Sequence, residues 1–452
     1  MEQEFSLWFP TYGSGDSFIY LLFFVLLLLS IICFLFSKYD ILYPPLIGTI
    51  SFTCCVGLAA LYTNLWNLPM HFNTAIIIIC MVSLFISGGF IATNSIYKLI
   101  AKKQNTNKTI YTIDKAINIP FKYLLLIILL LLFSLYYNYK EFIVLASQVT
   151  DSHNFSEMLF PVTNGVAQGI IKFSKLFSYR LLFAKSISYT SVIFFWYNFA
   201  EKKYFNCLKW GILTVLYFPF ILLTAGRQLF LYFILFSLIS LIMILRKRSI
   251  IQKGLKEIYI VLVAFLGFLL FFLGTGLLNG KINANLGLFR VLVHYAGVNI
   301  SGFDVYINEM IIPDTPYIGL HTLSPITFFL NHFGLNYPDG IGYIPLFTVF
   351  GSVSTNVYTA LFRYILDFGF IGCGIIMFLL GFGYTFFYEY IAIKNYKSWM
   401  VMLYAFISYP IFLLGREERF LNEIFTTRTG YTFLMMMLFY KFVNAVNQER
   451  GE

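Results

Sequence analysis

The chain has 452 residues, of which 59% are hydrophobic, 20% aromatic and only 12% charged, and 31 Lys and Arg stand against 21 Asp and Glu for a net +10. A soluble globule carries charge on about a quarter of its residues, so this composition excludes an ordinary soluble domain, a disordered chain, a fibrous protein and a small disulfide scaffold. A polytopic helical membrane protein remains, because apolar runs of about 20 residues, the length a helix needs to cross a bilayer, recur along the chain.

The first sixteen residues hold Glu2, Glu4 and Asp16 but no Lys or Arg, so no secretory signal with a basic start is expected there. Apolar runs predict spans near 18–36, 42–62, 74–97, 121–139, 178–199, 208–223, 228–245, 256–277, 364–388, 399–414 and 427–443. The expected architecture is all-α: a single integral membrane domain over 1–452 with about eleven transmembrane helices (10–12). The N-terminus is expected outside and the C-terminus inside. Charge supports that orientation: Lys38, the Lys98–Lys122 cluster, Lys202 and Lys203, Arg246–Lys256, and Lys394 and Lys397 all fall in loops assigned inside. Thr63–Asn73, assigned outside, has no Lys or Arg, as the positive-inside rule requires. The basic excess therefore sets topology and touches anionic lipid; it forms no stripe suited to nucleic acid.

Two outer segments are long, a smaller one over 140–177 and a large one over 278–355. Long loops more often carry function. The large one contains only Lys281 and Arg290 as basic residues and is rich in Gly, Pro and Asn. Its amphipathic stretch Leu286–Ile300 predicts short helices lying at the outer interface. All five histidines (His71, His153, His294, His321, His332) fall in outer segments, which places any chemistry at the outer face. The six cysteines share no CxxC spacing and read as small packing residues. No metal is expected: His321 and His332 lack an HExxH context and thiolate neighbours. An acidic DxD-like motif, GxSxG, a Walker A loop and an internal repeat are also missing.

The candidate site residues are the few ionisable groups at the mouths of outer helices. Arg227 follows Thr224-Ala225-Gly226 in a tight outer turn and begins a helix, where a cation opposes the helix dipole. It either meets an anionic partner or snorkels to the headgroups. Arg290 and His294 are spaced i, i+4 and share one helix face. That face either holds a phosphate beside a titratable imidazole or is the wet edge of an interfacial helix. Arg363 and Asp367 repeat the spacing at the start of an apolar run too long to need all of its residues for crossing. Ionisable pairs in such places are functional hypotheses by default, with Asp367 orienting Arg363. The last outer loop holds Arg416, Glu417, Glu418, Arg419, Glu423 and Arg428; its signs nearly cancel, and it reads as solvated or locally paired. Asp304, Glu309, Asp314 and Asp339 are lone acids in the large loop.

The stretch Thr355–Gly372, with Asn-Val-Tyr-Thr followed by Asp-Phe-Gly-Phe-Ile-Gly, resembles the signature of bacterial O-antigen and capsule repeat-unit polymerases of the Wzy type. Ala225-Gly226-Arg227-Gln228 resembles that family's arginine-containing outer turn, and Tyr295–Asp304 resembles the start of its large external loop. The resemblance implies a metal-independent, GT-C-like glycosyltransferase without cofactor, in the bacterial cytoplasmic (inner) membrane with its site facing outward. Its substrates would be undecaprenyl-diphosphate-linked oligosaccharides, joined by block transfer, with a flippase and a chain-length regulator as partners.

On this reading Arg227, Arg290 and Arg363 clamp the diphosphate, with Asn356 and Tyr358 as nearby hydrogen-bond donors and His294 as a base for the acceptor hydroxyl. Guanidiniums suit phosphate through forked donors and permanent charge. They accelerate transfer by favouring the charge that develops as the leaving group departs. Two rivals share the topology. A lipid-linked oligosaccharide flippase would line its mid-membrane with charge and need no large outer loop. An O-antigen ligase would differ only in its acceptor.

Overall fold

In the computed structural model the described residues are 18–103, 117–224, 227–278, 288–309, 319–323, 326, 331, 333–334, 348–350, 353–393 and 397–448. In chain order the helices are α1 (Ile19–Phe36), α2 (Pro44–Trp66), α3 (Phe72–Lys103), α4 (Phe121–Ala146), α5 (Phe155–Ala167), α6 (Lys175–Ala200), α7 (Tyr204–Val215), α8 (Phe218–Leu223), α9 (Arg227–Lys247), α10 (Leu255–Leu278), α11 (Leu288–Ala296) and α12 (Val298–Glu309). The strands β1 (Thr348–Phe350) and β2 (Val353–Thr355) follow, then α13 (Ala360–Ile393), α14 (Ser398–Ile407), α15 (Tyr409–Phe412), a single π turn (Phe420–Ile424) and α16 (Thr427–Gln448).

Every predicted span falls on helix, and the protein is mostly helical. Among the described residues, seven stretches are long and apolar enough to cross a membrane: α1, α2, α3, α4, α7 with α8, α9 and α13. The expectation of an all-α chain misses the antiparallel pair β1–β2, in which Thr348 faces Thr355 and Phe350 faces Val353. These strands are three residues each, too short to leave a periodic signal. The smaller outer segment is also more ordered than a loop. α4 runs on to Ala146, and α5 brings Met158, Leu159 and Val162 onto Phe142, Leu145 and Phe177 in a small apolar core of its own.

Backbone contacts divide the chain into two compact units. One comprises Met1–Ile110, Gly287–Lys394 and Ile407–Thr427; the other comprises Tyr111–Leu286, Asn395–Phe406 and Arg428–Glu452.

The first unit is built on α2, α3 and α13. Pro44 and Pro45 occupy the first positions of α2, where a missing N–H costs nothing. Asn67, with φ 50° and ψ 49°, ends the helix in the left-handed conformation that asparagine tolerates. α3 and α13 pack through glycine. A Cβ at Gly88 would strike the Phe378 carbonyl, and one at Gly381 would strike that of Phe85. Small residues permit this close approach of helix backbones. The register (Gly374 on Leu84, Gly381 on Phe85, Thr385 on Gly89) means that the two helices run in the same direction. α13 is interrupted at Gly369, whose φ of 66° and ψ of −175° are not helical.

In the second unit, ion pairs sit near helix ends. Glu141 of α4 accepts from Arg180 and Ser174, and Glu257, fully buried at the start of α10, is held by both forks of Arg246. Glu201 joins Arg248 at 2.5 Å and Lys203 at 3.0 Å. Lys185, within α6, lies over the rings of Tyr189 and Phe406, 5.4 Å from each centroid.

Candidate functional site

The ionisable groups of the first unit are distributed differently. α2 has 23 residues, about 34 Å at 1.5 Å per residue, so its own turns measure depth. Arg290 of α11 lies over the Trp66 indole at the last residue of α2, 5.8 Å from the ring. Gly297, between α11 and α12, is set against the backbone of Leu58 and Ala59, and Asn299 reaches the Cys55 side chain. α12 then climbs again, and Asp304 meets His71 just beyond the end of α2. The two helices thus form a hairpin that descends to the middle of α2 and returns. Buried Val293, Val298, Ile300 and Phe303 make this hairpin pack inward, where the sequence led to an expectation of short helices lying at the outer interface.

The segment after α15 arrives at the same level. Gly415 donates its N–H to Ser51 Oγ at 2.9 Å and is pressed against the Ser51 backbone. Asn299 Nδ2 donates to the carbonyls of Gly415 and Arg416 at 2.6 and 3.4 Å. Arg416 acts electrostatically on Cys55, the twelfth residue of α2. Ala360 N–H donates to the Leu414 carbonyl, which brings the start of α13 alongside. The loop expected to be solvated or locally paired is indeed paired, yet its charges lie level with the middle turns of an apolar helix. Irregular backbone at such depth is tolerated only where protein or a water-filled cavity surrounds it.

Around this turn the ionisable side chains interlock. Arg419 pairs with Glu417 at 2.5 Å and with Glu423, Arg416 reaches Glu417 at 3.4 Å, and Tyr409 Oη donates to Glu423 at 2.8 Å. Glu418, buried, accepts from Leu421 N–H, Asn422 N–H and Tyr364 Oη. Arg363 adds its field at Glu417, Glu418 and His321.

Adjacent carboxylates are driven in opposite directions. Burial alone would raise Glu417, but Arg416, Arg419 and Arg363 override it and hold the carboxyl below its usual range. Burial wins at Glu418 and raises it, against the backbone N–H of Leu421 and the Arg363 charge. Burial also pushes the His321 imidazole down, with Asp367 opposing and Arg363 assisting. The two neighbouring carboxyls thus hold their protons with different affinity.

The sequence-predicted residues fall as follows. Arg363 and Asp367 lie at this cluster. Asp367 is buried and accepts from His321 N–H, from Thr322 N–H at 2.7 Å and from Thr322 Oγ1 at 2.6 Å, so it anchors a turn of the large outer segment. Asn422 Nδ2 donates to the His321 carbonyl and fastens the same turn from the other side. Tyr358 is buried, exchanges a 2.8 Å hydrogen bond with Thr348 and stacks on Phe362, one residue before Arg363. Asn356 is exposed in the link between β2 and α13. Arg290 and His294 sit higher, on α11, and His294 Nε2 lies 2.9 Å from the Ser354 carbonyl. Arg227 begins α9 in the second unit; its side chain lies outside the described residues, as do Ala225, Gly226, Asp314, His332 and Asp339.

Sequence reasoning passed over Arg416, Glu417, Glu418, Arg419 and His321 as parts of a site. A usable signal was present: the apolar stretch before the charged loop is only 15 residues, Ser398–Phe412, short of the roughly 20 needed to cross. Among the described residues no group of three or more His, Cys, Asp or Glu is arranged to hold a metal ion. Searched against family models, curated proteins and solved structures, the chain matches none of them.

Proposed function

We propose that this protein polymerises undecaprenyl-diphosphate-linked oligosaccharide repeat units by block glycosyl transfer at the outer face of the bacterial cytoplasmic membrane. On this reading ten of the predicted spans cross and 399–414 stops short at the charged turn, in a GT-C-like arrangement, and the product is O-antigen, capsule or exopolysaccharide. One observation carries the proposal: Arg363 joins Arg416 and Arg419 where three irregular segments converge, level with the middle of α2. Permanent charge in such a place is rarely kept without a task. A departing diphosphate supplies one, since charge grows on it as the glycosidic C–O bond breaks, and prepositioned donors stabilise that change without reorganising. Arg290, at the outer end of α2, holds the donor's headgroup on its way in. Asn356 donates to the donor's phosphates or sugar, Tyr358, buried against Thr348 and Phe362, supports the start of α13 that carries Arg363, Asp367 keeps its place beside Arg363, and a flippase and a chain-length regulator are partners. Purified protein given a lipid-linked repeat unit, with a chelator present, is expected to produce a polymer ladder. No ladder from protein that retains its fold contradicts the proposal.

The depth of the cluster also favours a second reading, a lipid-linked oligosaccharide flippase, because a translocation path must carry polar groups at mid-membrane. Cells lacking the protein separate the two. Unpolymerised repeat units accumulate outside if it is a polymerase and inside if it is a flippase.

A further inference from the structure

His71 and Asp304 are 233 positions apart and meet at the outer end of α2. Asp304 is fully buried. Its Oδ1 accepts the His71 backbone N–H at 2.8 Å and an Asn308 Nδ2 hydrogen at 3.3 Å, and its Oδ2 lies 2.7 Å from His71 Nδ1. Asn308 is itself fixed by Thr74 Oγ1 at 2.9 Å. A carboxylate receiving backbone and amide donors acts as acceptor. Nδ1–H therefore donates to the carboxylate, and Nε2 is the ring nitrogen left to take up a proton. The imidazole is 39% exposed, with Nδ1 turned to the buried carboxylate. Buried acid, fixed tautomer and a second ring nitrogen are the elements of a carboxylate-oriented general base.

We propose that His71 is the proton acceptor for the acceptor sugar's hydroxyl, with Asp304 as its positioning residue; this rests on the polymerase reading. The hydroxyl O–H bond breaks and the proton passes to Nε2. The oxygen forms a bond to the donor's anomeric carbon, and the C–O bond to diphosphate breaks with its electron pair leaving on the phosphate oxygen. The imidazolium, held by the Asp304 carboxylate, then returns the proton to water. His71 suits this role better than His294, whose Nε2–H is given to the Ser354 carbonyl. Asn299 and Asp304 are five residues apart on α12, about 7 Å of rise, which sets the dyad between one and two turns above the Asn299–Arg416 contact. Within the knot, the groups bonded to or around His71 are Asp304, Asn308 and Thr74, and the carboxylate is the charged one.

The test is the pH dependence of ladder formation by full-length His71→Gln, Asp304→Asn and wild type at equal protein. His71→Gln keeps the backbone N–H that Asp304 accepts. It is expected to lose on the order of 100-fold in rate, as loss of a general base does, and to lose the acid limb of the profile. Asp304→Asn should slow the reaction and shift that limb. A His71→Gln protein with the wild-type rate and an unchanged acid limb overturns the proposal, and a loss of protein level alone assigns the pair to folding and overturns it equally. If the wild type makes no ladder, the polymerase reading is what has failed. The dyad is then read by labelling with diethyl pyrocarbonate. Faster modification of His71 in wild type than in Asp304→Asn upholds a primed Nε2, and equal rates remove it.

Discussion

The two units treat charge in opposite ways. In the second, the fully buried Glu257 and the paired Glu201 and Glu141 meet their arginines near helix termini, where ion pairs fix helix ends. In the first, Arg363, Arg416 and Arg419 with Glu417, Glu418 and Glu423 are carried by a helix start and an irregular turn beside the middle of α2. Moving ions there costs several kcal/mol each before pairing offsets it, a cost that the proposed function accounts for. On the proposed function, the contrast separates structural charge from charge that meets the diphosphate.

The sharpest way to break this contrast is at the structural end. Arg246→Ala leaves buried Glu257 without its bidentate partner, and removing one member of a buried pair costs about 3–5 kcal/mol. Thermal unfolding of purified protein should show the loss, while activity per folded molecule stays unchanged; a fall in that activity would blur the division. Next in size is Gly381→Ala, which sets a methyl against the Phe85 backbone. Overpacking of this kind costs about 1–3 kcal/mol and should reduce the amount of protein recovered from membranes.

The adjacent acids give a finer comparison. Glu417→Gln removes the ionised partner of Arg416 and Arg419 and should destabilise by about 1–3 kcal/mol. Glu418→Gln loses one of the two carboxylate oxygens that accept the Leu421 and Asn422 N–H groups but removes a charge that burial opposes, so it should destabilise less than Glu417→Gln; equal losses would contradict the opposed shifts. Their pH dependences also differ in sign. Glu417 has a folded pKa below the ordinary 4.5, so its contribution is present above that pH and is lost as pH falls through the folded value. Glu418 has a folded pKa above 4.5, so its contribution is present below 4.5 and is lost as pH rises through the folded value. The difference between the Glu417→Gln and Glu418→Gln denaturation curves across that range reads both signs.

Helix identity was legible in the sequence because apolar runs report burial in lipid or protein directly. Depth was not. Leu286–Ile300 has the same amphipathic pattern whether it floats at an interface or folds inward, and only its packing on Leu58 and Ala59 decides. Arg416 to Glu423 read as a balanced surface loop because a charge count carries no information about surroundings. Arg363 and Asp367 were recognisable from spacing, but the turn that Asp367 holds, His321–Thr322, is 45 positions away. The His71–Asp304 pair joins two segments that each looked ordinary alone.

The most direct test of the account is ladder formation by Arg363→Ala, measured per folded molecule beside the wild type. Loss of one prepositioned donor to a leaving group should slow turnover by about 100- to 1000-fold, with Arg363→Lys recovering little because it lacks the fork. Wild-type turnover in Arg363→Ala would contradict the assignment of the deep arginines to the chemistry.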